Sequence, residues 1–215
     1  MNLNFRFSAL LCAVMLLLFT PVLYAAKGPK RSKKDKLVTI STSLGDIKLV
    51  LFDDTPKHKA NFLKLAESGF YNGTTFHRVI PDFMIQGGDA NSKDADPTND
   101  GAGNPNDPTI PAEIRPEFKH KFGAVAAARQ GDFVNPQRAS SSSQFYLVQN
   151  HRGTPHLDGQ YTVYGQVISG LDVLDKIAAQ PRAERDRPTT DIKMTVKVDK
   201  LKKKKITELY GYQYP

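Results

Sequence analysis

The feature that most restricts the fold of this chain is the spacing of its strand-like runs. Eight short stretches alternate apolar with polar residues or are rich in β-branched ones: "LVTISTS", "DIKLVLF", "FHRVI", "FMIQ", "FGAVAAA", "SQFYLVQ", "YTVYGQV" and "IKMTVKV". Only two stretches carry a helical pattern. In "DDTPKHKANFLKLAESGFY", Thr55 is a candidate cap, Pro56 sits in the first turn, Ala60, Leu63 and Ala66 share a face, and Gly69 is a stop signal. The second is "GLDVLDKIAA" at 170–179. Many strands, few helices and no alternating strand–helix rhythm require antiparallel pairing, and closing the sheet removes the exposed edges that so many strands present. The expected fold is mainly β, a closed eight-stranded antiparallel β-barrel capped by two α-helices.

The ends set the domain limits. A leader containing Arg6 precedes the apolar run "FSALLCAVMLLLFTPVLYAA", which ends in small residues and reads as an export signal over residues 1–26. An uncleaved membrane anchor is the alternative, because the run is nearly long enough to span a bilayer. The one cysteine, Cys12, lies inside the leader, so the remaining chain has neither a disulfide nor a thiol nucleophile. The formal charge of +8 is concentrated outside the middle of the chain: residues 37–196 hold 17 positive and 19 negative side chains. A basic linker at 27–36, a single domain at 37–199 and a Lys-rich tail at 200–215 follow from that division. The two basic runs are expected to be mobile and solvated, with weak contact to an anionic surface as the second reading. A central region that is not basic is not expected to bind nucleic acid.

Common catalytic signatures are missing. The sequence has no G-x-S-x-G elbow, P-loop, H-E-x-x-H or Rossmann glycine pattern. Its five histidines, at 58, 77, 120, 151 and 156, lack metal-ligand spacing and read as packing or surface residues, so neither metal nor cofactor is expected. Asp53 and Asp54 precede the first helix, where negative charge favours the dipole. The stretch 89–111, "DANSKDADPTNDGAGNPNDPTIP", is too rich in Pro, Gly, Asn and Asp for regular structure and fails the EF-hand template. Ser140–Ser143 reads as a loop entering a strand.

One stretch makes geometry. In "FHRVIPDFMIQGGD", residues 76–89, a turn at Pro81-Asp82 folds two strands together. Strand alternation then places Met84 and Gln86 on one face, with Arg78 on the neighbouring strand able to reach it. An arginine there overlooks an apolar floor. The alternative is a surface arginine whose stem covers Phe83.

The same stretch resembles the signature of the cyclophilins, the peptidyl-prolyl cis-trans isomerases, and the resemblance extends through "FGAVAAAR", "SSQFYLV" and "HLDGQYTVYGQVISGLDVLDKI". It implies an isomerase of the EC 5.2.1.8 class that needs no cofactor, acts on proline-containing polypeptides as a monomer and assists folding of exported proteins, with the periplasm as the expected location. By that resemblance Arg78 is the catalytic guanidinium, accompanied by Phe83 and Gln86. Phe83, Met84 and Leu157 line the proline pocket, Gln86 and Gln144 hold the substrate backbone, and Ala128 and Arg129 offer main-chain groups. Tyr146 stands where phenylalanine is usual, which puts a hydroxyl at the pocket rim. Tyr161 occupies a position that is commonly tyrosine in bacterial members. His156 replaces the tryptophan used for cyclosporin binding, so weak cyclosporin sensitivity is expected. The long 89–111 loop and "QGDFVNPQRA" are the segments expected to shape substrate choice.

Overall fold

The structure is a computed structural model that describes residues 32–214; the expected signal and the first part of the basic linker lie outside the described residues. In chain order the elements are β1 (Lys34–Thr42), β2 (Gly45–Leu51), α1 (Pro56–Glu67), β3 (Arg78–Ile80), β4 (Met84–Gly87), β5 (Thr109–Ile110), β6 (Ala124–Ala127), β7 (Ser140–Ser141), β8 (Phe145–Val148), β9 (Val163–Ser169), α2 (Leu171–Ala178), β10 (Thr195–Lys202) and α3 (Lys203–Tyr210). Eight strands form one antiparallel sheet in the order β10-β1-β2-β9-β6-β8-β4-β3, while β5 and β7 pair separately. The two ends of this ladder meet through the segments that precede β3 and β10. There the N–H of Gly73 donates to Met194 O (2.9 Å), that of Met194 to Thr74 O (2.8 Å), and that of Phe76 to Ile192 O (3.0 Å).

Side-chain alternation divides the barrel into an inside and an outside. Ile85, Val125, Ala127, Phe145 and Leu147 point inward and join Ile40, Leu49, Phe62, Leu174 and Met194 in the main core. Their sequence neighbours Met84, Ala124, Ala126, Tyr146 and Val148 point outward into a second apolar cluster with Phe83, Leu157 and Tyr161. Both faces of β4, β6 and β8 are therefore covered, which is why those strands read as continuous apolar runs rather than as strict alternation.

The C-terminal run departs from expectation. Residues 200–215 were expected as a mobile tail, but Lys200–Lys202 complete β10 and Lys203–Tyr210 form a third helix. Its Ile206 is fully buried against Leu37 and Val50, and Leu201, Tyr210, Tyr212 and Tyr214 pack around them. The linker is shortened in the same way, since Lys34–Lys36 already belong to β1, with Lys34 opposite Lys202 and Lys36 opposite Lys200. Lysines hide such a helix from sequence reading because their stems cover apolar surface while the charge stays in water. The stretch 89–111 is also less irregular than expected, with a short 3-10 turn at Ala90–Lys93 and β5 near its end.

The start of α1 is capped from far away. Thr55 is the N-cap residue but makes no side-chain cap bond, and its hydroxyl instead donates to Phe52 O. The cap is the Glu113 carboxylate, which accepts from the N–H groups of Lys57 (3.1 Å) and His58 (2.9 Å) and from the His58 ring (2.7 Å). Asp53 is committed elsewhere, to Lys59 and Lys203. Burial opposes its ionisation, yet these two ammonium groups hold its carboxyl below the usual range.

Candidate functional site

The hairpin expected at Pro81-Asp82 forms as β3–β4, closed by a Phe83 N–H bond to Ile80 O (3.2 Å) and placing Arg78 directly opposite Gln86. Asp82 takes a left-handed conformation (φ 56°), which an aspartate tolerates better than most side chains. The strand β4 leaves its partner at Gly87-Gly88. A Cβ on Gly88 would lie 2.6 Å from Ser143 O at φ +88°, so only glycine permits this close approach.

Arg78, Phe83, Met84, Gln86, Ala128, Arg129, Tyr146, Leu157 and Tyr161 together line a cavity of about 230 Å3. Nine of the ten residues expected at the site thus converge on one hollow. The tenth, Gln144, lies just behind: its Oε1 accepts from Gln86 Nε2 (3.0 Å), and its own Nε2 donates to Gly101 O (3.2 Å). A second groove of about 530 Å3, walled by residues 101–109 and 130–143, adjoins the cavity and shares Gln86, Ala128 and Arg129 with it. Both loops expected to shape substrate choice border this groove.

Two expected roles change in detail. The Ala128 N–H donates to Gln144 O (3.1 Å) and its carbonyl accepts from Ser141 N–H (2.8 Å), so of its main-chain groups only the carbonyl, through its second lone pair, is left for a substrate. The Tyr146 hydroxyl is not at the rim. The residue is only 5% exposed, and its O–H points down to His120 Nε2 (3.0 Å). His120 Nδ1 donates in turn to Asp158 (2.8 Å), which also accepts the His120 N–H (2.9 Å). A carboxylate–imidazole–phenol chain therefore lies under the pocket and keeps a polar atom out of its apolar lining. No local pattern announces it, because His120 and Asp158 are 38 residues apart.

The rim is fixed by a different device. The Arg129 guanidinium lies 4.4 Å from the Tyr161 ring centroid and is tethered to Gln160 O (3.0 Å) and Asp132 (2.6 Å). Across the cavity the His156 ring stacks on Phe83 with centroids 5.9 Å apart. These contacts hold both walls in one geometry.

Burial pushes the His120 pKa below the usual 6.5, although Asp158 pulls the other way. Burial does the same to His58 against Glu113, and to His77 against Asp89 and Asp100. All three folded-state values lie below the unfolded value, so the unfolded chain binds more protons in acid. Their contribution to stability is complete above about pH 6.5 and is lost progressively as the pH falls below it. Thermal unfolding at pH 7.5 and 5.5 checks this, with a lower melting temperature expected at pH 5.5. Each kcal/mol lost lowers the midpoint by about 2–4 °C in a chain of this size.

Comparison with known proteins agrees with this fold. The family described as cyclophilin type peptidyl-prolyl cis-trans isomerase/CLD matches residues 37–198. The Arabidopsis thaliana peptidyl-prolyl cis-trans isomerase CYP18-1 is 40% identical over 159 residues, which span 73% of this chain and 91% of that protein. A probable peptidyl-prolyl cis-trans isomerase of Brucella suis is 40% identical over 173 residues, 77% of this chain and 84% of that protein. In the longer peptidyl-prolyl cis-trans isomerase-like 2 of Rhizopus delemar, also 40% identical, the match covers only 29% of the relative. Among solved structures, a cyclophilin type isomerase of Cryptosporidium parvum superposes with a TM-score of 0.66 at 31% identity, covering 77% of this chain and 98% of that one. The same protein in the presence of the dipeptide Ala-Pro gives a TM-score of 0.65.

Proposed function

The chain belongs to the cyclophilin-type peptidyl-prolyl cis-trans isomerase family, and from that premise we propose that it turns X-Pro bonds in exported or unfolded polypeptides by gripping the twisted imide without covalent chemistry. The observation that carries this reading is the lining of one cavity by Arg78 and the apolar side chains Phe83, Met84 and Leu157.

Rotation about an X-Pro bond is slow because it breaks amide resonance over a barrier of about 18–20 kcal/mol. At the top of that barrier the proline nitrogen has lost conjugation and carries a lone pair. A guanidinium is suited to meet it, since it donates hydrogen bonds and does not lose its proton at working pH. The apolar wall excludes water from the interaction and strengthens it. Phe83, Met84 and Leu157 hold the ring, while Gln86, itself oriented by Gln144, restrains the chain. With the Ala128 N–H engaged, the second lone pair of its carbonyl and the main chain of Arg129 are left to join Gln86 in holding the substrate backbone. Contacts that fit the twisted form better than either planar form lower the barrier by about 1.4 kcal/mol for each tenfold in rate.

The apolar run ending at Ala26 supports export to the periplasm, where unfolded chains arrive with mixed proline isomers. The Ala-Pro dipeptide used with the Cryptosporidium relative is the minimal substrate fragment for this pocket. A refolding assay tests the role. The slow, proline-limited phase of an unfolded client should shorten in proportion to the amount of chain added. A slow phase that is unchanged at equimolar chain would contradict it.

A further inference from the structure

The loop Arg182–Pro188, between α2 and β10, brings a carboxylate to the back of the arginine assigned to the imide. Asp186 Oδ2 lies 3.8 Å from Arg78 Nε, and its Oδ1 accepts from Arg182 Nη1 at 2.8 Å. The loop is locally strained to achieve this. Arg185 (φ 57°) and Asp186 (φ 58°) are consecutive left-handed residues, and neither is glycine. A left-handed residue with a side chain costs roughly 1–2 kcal/mol, less for aspartate than for arginine.

That conformation is held by tethers on every side. The Ala183 N–H donates to Arg187 O (2.7 Å) and Thr189 N–H to Pro181 O (2.9 Å). Arg187 is locked between Asp100 (2.6 Å) and Asp191 (2.7 Å), and Arg185 reaches Thr98 O (3.4 Å). Strain that the surroundings over-determine is characteristic of functional positions, and here its product is one carboxylate beside Arg78.

We propose that Asp186 is a positioning residue for Arg78: it engages the Nε edge of the guanidinium and leaves the terminal Nη groups to face the twisted bond. This rests on the reading of Arg78 given above. A long arginine side chain in a hollow open to solvent samples many rotamers, and an anion held 3.8 Å from one edge favours those that keep Nε toward it before substrate arrives. Arg182 balances the charge of Asp186, so the pair orients the guanidinium without making the pocket acidic.

The test separates charge from backbone. Asp186→Asn keeps the side-chain shape and the tolerance for positive φ but removes the charge. It should lower kcat/KM on an Ala-Pro peptide by about tenfold, mainly through kcat, with KM and melting temperature unchanged. Asp186→Gly should raise the melting temperature, because the strain is relieved, and still lower kcat. In an Arg78→Ala background Asp186→Asn should have no further effect. Wild-type kcat in Asp186→Asn would overturn the inference, and so would a tenfold loss that persists in the Arg78→Ala background. If Arg78→Ala alone is slow while Asp186→Asn is normal, only the positioning role fails. If Arg78→Ala itself turns over normally, the reading of Arg78 fails and the positioning role with it.

Discussion

Replacing Arg78 with alanine is expected to lower kcat/KM for an Ala-Pro peptide by about 100-fold while leaving the fold intact, equivalent to the loss of a donor worth roughly 2.7 kcal/mol in the transition state. The side chain stands at the cavity edge, 43% exposed, and its ion-pair contact with Asp186 is long. Its removal therefore opens no core cavity and strands no buried charge. Arg78 lies on a three-residue strand whose pairing depends on backbone groups and on the buried Val79, all of which alanine preserves. The far-ultraviolet spectrum and melting temperature should match the wild type within error. A chromogenic isomerisation assay reads the loss, and circular dichroism of the same preparation confirms that the protein is folded.

Phe145→Ala should instead act through the fold, with a loss of about 3–5 kcal/mol in stability and a melting point lower by about 6–20 °C. Phe145 is fully buried and touches three rings, Phe62 at 5.4 Å, Tyr71 at 5.7 Å and Phe76 at 6.3 Å between centroids, in edge-to-face or near edge-to-face geometry. Alanine removes the ring and leaves a void among residues fixed by α1, β8 and the closure between residues 73–76 and 192–194, which cannot all collapse into it. Activity should fall as well, because Tyr146 and Gln144 flank this anchor and line or support the pocket. Urea unfolding monitored by tyrosine fluorescence gives the stability change.

Residues whose partners are close in sequence were the legible ones. The β3–β4 hairpin could be read because its turn, its alternation and its arginine occupy fourteen consecutive residues. The first two helices could be read from period and stop signals. The third could not, since Ile206, Leu209 and Tyr210 are the only apolar marks in a lysine-rich stretch of eight residues, and Leu209 is exposed. The α1 cap went to Glu113 rather than Thr55 because a carboxylate 56 residues away satisfies two N–H groups at once, and no local rule sees such a partner. The pocket itself followed from family resemblance, but the elements that stiffen it did not. The His120–Asp158 support under Tyr146 and the Asp186 loop behind Arg78 join residues that only the closed sheet brings together.

The account is tested most directly by exchange nuclear magnetic resonance on an Ala-Pro peptide with a few per cent of the chain, comparing wild type with Arg78→Ala. Cross-peaks between the cis and trans forms should grow within the mixing time for the wild type and be nearly absent for the folded variant. Equal cross-peaks from both proteins, or binding shifts without exchange from the wild type, would contradict the assignment of the twisted imide to Arg78.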